Sequence, residues 1–125
     1  MRGYDENYTR KGDGMRIVIV EDEIAIRDGL EKMISAATEH TVIGACKNAM
    51  EGIAFIKENH PDLVITDIRM HGMDGLEMLE NLKEQGVEIY SIIISGYAEF
   101  EYAKRALSVG AQEYLLKPVS VDALQ

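Results

Sequence analysis

Acidic residues in this sequence are unevenly spread. Glu21–Asp22–Glu23 stand together directly after the apolar run Ile17–Val20, and Asp67 directly after Leu63–Thr66. Ser95 follows a third such run, Ile89–Ile94, and Lys117 a fourth short one, Glu113–Leu116. Carboxylates brought into one crevice repel each other, and each suffers a raised pKa unless a cation compensates. Oxygen ligands without paired cysteine or histidine favour a hard divalent ion. Mg²⁺ is the expected one, with Mn²⁺ able to take its place, and Glu21 and Asp22 are candidate ligands. A carboxylate beside such an ion can attack phosphorus to give an aspartyl phosphate. Asp67, at the tip of its run and ahead of the loop Gly72–Met73–Asp74–Gly75, is the candidate nucleophile. Lys117 offers an ammonium for the phosphoryl charge, and Ser95 a hydroxyl donor to a phosphoryl oxygen. Taken singly, each reads better as something ordinary: a solvated acidic turn, a Ser–Gly turn, a surface strand end. Agreement at four strand ends reverses those odds.

Those positions make sense only if the apolar runs are strands of one sheet. Short β-branched runs alternate with segments of helical period: Ile17–Val20, then Ile26, Leu30, Met33, Ile34 and Ala37; Thr41–Cys46, then Asn48–Asn59. Asn48 can cap the second helix, with Glu51 three residues on and Pro61 beyond its end. Leu63–Thr66 precedes a helix from Gly75 with Leu76, Leu79 and Leu82 inward and Gly86 as terminator. Ile89–Ile94 precedes a helix over Phe100–Val109, whose Phe100, Ala103, Ala106 and Leu107 should pack on the sheet, and Glu113–Leu116 is the fifth strand. The order βαβαβαβαβ, with strands apolar on both faces, predicts an α/β fold of three layers, α/β/α, around a doubly wound five-stranded parallel sheet. For order 2-1-3-4-5 the ligand crevice lies at the carboxyl ends of strands 1 and 3, where the carboxylates are. A fifth helix begins near Val121 with about one turn where three are usual, so it is expected to be truncated.

Composition narrows the function classes. The chain has 125 residues, 46% of them hydrophobic, enough for one domain with one core. With 13 Lys and Arg against 22 Asp and Glu, the formal charge is −9, which argues against direct binding of nucleic acid or anionic lipid. No apolar run approaches the ~20 residues of a membrane helix. Cys46 is the one cysteine and reads as a buried structural thiol, so a reducing cytoplasm is the expected compartment. Residues 1–14 are polar and aperiodic and read as an extension or expression leader ahead of a domain over 15–125.

The stretches Ile17–Val–Ile–Val–Glu–Asp–Glu23, Leu63–Val–Ile–Thr–Asp67, Asp67–Ile–Arg–Met–His–Gly–Met–Asp–Gly75, Ser95–Gly–Tyr97 and Tyr114–Leu–Leu–Lys–Pro118 closely resemble the receiver domain of bacterial two-component response regulators. The resemblance runs from about Arg16 to the last residue. It implies a flavodoxin-like fold and a sensor histidine kinase that passes a phosphoryl group to Asp67. It also implies Mg²⁺ held by Glu21 or Asp22, Asp67 and the backbone carbonyl of Arg69. A switch follows by the same resemblance: Ser95 moves toward the phosphoryl group and Tyr114 turns inward, remodelling the face made by helix 4, strand 5 and helix 5. Phosphorylation-dependent homodimerisation is implied for the full-length protein, with DNA contacted only through an output domain outside this chain. The resemblance makes the Lys117–Pro118 bond cis. It also places Arg69 and Tyr97 where autodephosphorylation is tuned; neither carries an acid or amide to orient water, which implies a long-lived phosphoryl state. The segment from Ser95 to Leu107 is most similar to receivers joined to an AraC-type output.

Two residues depart from the family's pattern. His71 stands where proline is usual, which restores an N–H and loosens φ; a solvent-exposed imidazole without a role is expected there. Glu21 stands where aspartate is commoner, and its longer arm still reaches a metal. Two other function classes fare worse. A haloacid-dehalogenase-like phosphatase would need Asp-x-Asp, but Arg69 occupies the second acidic position and leaves no general acid. A pseudo-receiver serving only as an interaction module would lack the acidic pair, Asp67 or Lys117, and none is missing.

Overall fold

The computed structural model of the chain describes residues 14–96 and 100–116. Its elements are β1 (Arg16–Val20), α1 (Ile24–Ala37), β2 (Thr41–Cys46), α2 (Ala49–Asn59), β3 (Leu63–Asp67), α3 (Gly75–Glu84), β4 (Tyr90–Ser95), α4 (Phe100–Ser108) and β5 (Glu113–Leu116). The strands form one parallel sheet in the order β2-β1-β3-β4-β5. The alternation of strand side chains splits the core in two. Val18, Val20, Val64 and Ile93 face α2, α3 and α4 and meet Ile56, Leu76, Leu79, Leu82 and Ala106. Ile17, Ile19, Leu63, Ile65 and Ile94 face the other way and meet Leu30 and Ile34 of α1. Central strands buried on both sides explain the unbroken Val/Ile runs.

The helix ends follow the local chemistry. The Asn48 side chain accepts a hydrogen bond from the Glu51 amide at 2.8 Å, whereas the Glu51 carboxylate accepts from the amide of Lys47 rather than from that of its cap. Asp74 and Glu77 form a complete reciprocal capping box at the start of α3. After α3, the Gly86 and Val87 amides donate to the Lys83 and Leu82 carbonyls, and Gly110 and Ala111 repeat this pattern after α4. Both glycines take φ near +80°, the left-handed turn that only glycine enters cheaply.

The observed bounds differ from expectation by one or two residues: β3 and β4 each run one further, to Asp67 and Ser95, and α1 starts at Ile24. One packing expectation is overturned. Ala106 is 3% exposed and faces the sheet, but Leu107 is 78% exposed and faces solvent. Adjacent helical residues are separated by about 100° of rotation, so a narrow seam that takes Ala106 excludes Leu107. The side chains of Phe100 and Ala103, residues 1–13, and the expected fifth helix near Val121 lie outside the described residues.

Cys46 closes β2 and is buried. Burial, with the Glu51 carboxylate adding to it and the Arg27 guanidinium partly offsetting it, pushes the thiol up to about 11.

Two measurements test this packing. Leu76→Ala should cost about 2–5 kcal/mol in urea unfolding and Leu107→Ser no more than about 0.5 kcal/mol. The neutral Cys46 thiol contributes stability that is fully present below pH 9 and is lost as pH rises toward 11. Alkylation of the native protein at pH 8 should accordingly run at least about 10-fold slower than in urea, because the raised pKa depletes the thiolate and burial blocks access to it.

Candidate functional site

The carboxyl ends of β1 and β3 are adjacent because β1 pairs with β3 directly. Glu21 extends β1 by one more ladder bond, its amide donating to the Cys46 carbonyl at 3.0 Å. Its side chain is 1% exposed, and one carboxylate oxygen accepts from the Glu23 amide at 3.2 Å. Asp67 ends β3 at 7% exposure, and its Oδ1 accepts from the Ile68 amide at 2.8 Å, which sets the carboxylate's orientation. Asp22 is exposed beside them. One carboxylate oxygen from each of Glu21, Asp22 and Asp67 lies within 4.8 Å of the others. Three carboxylates at that spacing, two of them buried, are an all-oxygen donor set. It fits a hard divalent cation.

The loop after Asp67 is held down from behind. The Gly75 amide donates to the Ile68 carbonyl at 2.8 Å, and a Cβ at Gly75 would stand 1.9 Å from the Asp67 carbonyl oxygen. No other residue fits there, so α3 starts in direct contact with the main chain of Asp67. The Thr66 hydroxyl donates to that same Asp67 carbonyl at 2.9 Å. The Asp74–Glu77 capping box fixes the helix end that makes this contact. Within the loop Arg69 and His71 are exposed, as expected for His71, and Gly72 takes φ +80°.

Ser95 ends β4, wholly buried, one residue beyond the Asp67–Ile94 pair. Tyr114, paired with Ile93, is half-buried and packs against the α2–α4 side of the core. Lys117, Tyr97 and the Lys117–Pro118 bond lie outside the described residues.

Sequence reasoning missed two contributors. Arg27 of α1 donates from Nη1 to the Glu21 carbonyl at 2.8 Å, a contact for which spacing carries no signal. Gly75 was legible as a loop glycine but not as the point of closest approach to Asp67. A cavity of about 460 Å³, lined by Asp22, Lys47, Met50, His71 and Met73 among others, opens beside the acidic cluster. A larger one of about 630 Å³, lined by Pro61, Asp62, Leu82, Tyr90 and Gln112 among others, includes none of the acidic three.

A family model described as the response regulator receiver domain matches residues 17–125. The chain belongs to that family. It is 38% identical over 104 residues to the transcriptional regulatory protein YesN of Bacillus subtilis, covering 82% of this chain and 28% of YesN. It is 37% identical over 111 residues to the transcriptional regulatory protein HptR of Staphylococcus aureus, covering 88% of this chain and 43% of HptR. The chain thus spans less than half the length of these curated relatives. Among solved structures, a LuxR-family DNA-binding response regulator from Staphylococcus aureus superposes with TM-score 0.83 at 27% identity, covering 88% of this chain and 92% of the other. A CheY-like receiver domain protein from Methanospirillum hungatei does so with TM-score 0.79 at 32% identity, covering 89% and 87%. The receiver has the doubly wound five-stranded sheet expected of it, and it is a signalling domain rather than a classical enzyme. Among the described residues no helix is long and apolar enough to cross a membrane.

Two substitutions in the receiver's loop should separate contact from capping. Gly75→Ala should destabilise by about 1–3 kcal/mol through overpacking against the Asp67 carbonyl, and Asp74→Ala by about 1 kcal/mol through loss of the cap, both read from urea midpoints.

Proposed function

We propose that Asp67 accepts a phosphoryl group from the histidine of a sensor kinase, and that the resulting change at the face made by helix 4, strand 5 and helix 5 controls a transcriptional output. The convergence of Glu21, Asp22 and Asp67 within 4.8 Å is the observation that carries this reading. Glu21, Asp22, Asp67 and the main-chain carbonyl of Arg69 would hold Mg²⁺, which when bound neutralises phosphoryl oxygens that three carboxylates would otherwise repel. Asp67 supplies the nucleophile: a carboxylate oxygen forms the O–P bond as the N–P bond of the donor histidine breaks, and the imidazole leaves with the electron pair. The hydrogen bond from the Ile68 amide to Oδ1 and the contact with Gly75 keep Asp67 from rotating away during that displacement. Ser95 donates its hydroxyl to a phosphoryl oxygen, and Lys117 pairs with the phosphoryl charge.

Readout follows from the same sheet. Ser95 sits in β4 beside β5, whose Tyr114 is half-buried, so a pull on Ser95 bears on the strand that carries Tyr114. Arg69 and Tyr97 leave the acyl phosphate without an acid or amide to orient water, which favours a long-lived state. The net charge of −9 argues against DNA contact by this chain, and an output domain of the full-length protein would make that contact, in keeping with the transcriptional regulators among the relatives. Homodimerisation on phosphorylation is proposed for the full-length protein, and a cytoplasmic location fits this role.

Incubation with acetyl phosphate and Mg²⁺, followed by intact-mass spectrometry, should add one phosphoryl mass. That mass should vanish with Asp67→Asn or EDTA and should decay over minutes or longer. No added mass, or one that survives Asp67→Asn, refutes the assignment; decay within seconds refutes the long-lived state.

A further inference from the structure

Arg27 stands one turn into α1 and folds back toward the strand that precedes it. Its Nη1 donates to the main-chain carbonyl of Glu21 at 2.8 Å, and its own amide donates to the Glu23 carbonyl at 2.9 Å. Glu21 in turn accepts from the Glu23 amide through its side chain at 3.2 Å. The three residues Glu21–Asp22–Glu23 are therefore closed into a small ring with both ends on Arg27. Such a tie is needed here for two reasons. Glu21 is buried past the last residue of β1, where a strand-end carbonyl without a donor would be costly. In addition, the Glu23 side chain makes no cap hydrogen bond at the start of α1, so the Arg27 contact adds a tie where a cap would otherwise stand. Arg27 also places its charge close by, since the guanidinium lowers the pKa of neighbouring Cys46 against the effect of burial.

We infer that Arg27 is the positioning residue of the acidic pair: by clasping the Glu21 carbonyl it holds Glu21 and Asp22 in the register that a divalent cation requires. This rests on the metal-site reading above. Loss of an outer contact that orients a metal ligand typically costs about 10- to 100-fold in affinity. The clasp and the bare charge predict opposite signs, which makes the inference sharp. A fixed positive charge repels Mg²⁺, so if charge were all that mattered, removing it would tighten binding.

The test uses the wild-type chain, Arg27→Gln, Arg27→Lys, and Arg16→Gln as a control. Arg16 makes the same kind of contact at the far edge of the sheet, donating to the Asn59 and His60 carbonyls at 3.1 and 2.9 Å. Mg²⁺ affinity is read by NMR titration, and amide hydrogen exchange at Glu23 is read in metal-free protein. Arg27→Gln should weaken Mg²⁺ binding about 10-fold, with Arg27→Lys recovering most of the loss. Arg16→Gln should lower the melting temperature without moving the affinity. Exchange at the Glu23 amide should quicken in Arg27→Gln alone. Equal or tighter Mg²⁺ binding by Arg27→Gln overturns the inference. Should wild type bind no Mg²⁺, the metal reading falls separately, and unchanged Glu23 exchange in Arg27→Gln would still overturn the clasp.

Discussion

The convergence of three carboxylates at one rim of the sheet is the constraint that the rest of this structure serves. Glu21, Asp22 and Asp67 present oxygens within 4.8 Å of one another, and two of the three side chains are almost completely buried. Water screens such a cluster poorly, and a flexible chain would let it spread. The fold keeps it together by hanging Glu21 and Asp67 on elements that cannot move. Glu21 is tied to β2 through its amide and to α1 through its carbonyl. Asp67 is tied to its own loop through Ile68 and wedged from behind by Gly75. Only Asp22 faces solvent freely enough to adjust.

The stiffness comes from the sheet. Central strands with both faces covered make β1 and β3 a close-packed slab, and a residue at the tip of such a strand inherits its position from the packing beneath it. The order β2-β1-β3-β4-β5 sets the two acid-bearing strands side by side and puts Ser95 next to Asp67 on the other flank. Core and site are thus one structure seen from two directions. Apolar side chains below the edge fix where polar ones above it stand.

Much of this was legible in the residues because strand ends are marked by abrupt change. Val20 to Glu21, Thr66 to Asp67 and Ile94 to Ser95 each step from apolar or β-branched to polar at the sheet's rim, so one-dimensional patterning located three residues that the sheet brings together. Caps were legible for the same reason: Asn48, Gly86 and Gly110 act through neighbours only a few residues away. What escaped depends on distance in space. Arg27 reaches a carbonyl whose position is fixed by a strand, and the need for glycine at 75 depends on the path of the preceding loop. Leu107 was misplaced because a helix seam that admits only Ala106 cannot be told from composition, where leucine always looks the better core residue.

The place of β1 in the sheet bears on how the molecule is made. Of the sheet's five strands, the one synthesised first is a central one, hydrogen-bonded on one side to β2 and on the other to β3. A nascent chain carrying only β1, α1 and β2 has one edge of its most apolar strand still unpaired, and that edge closes only when Leu63 and its neighbours emerge. Non-local parallel pairing is intrinsically slow, and an open apolar edge is where chains associate wrongly. On the ribosome, that edge stays open for as long as α2, the helix between β2 and β3, is being made.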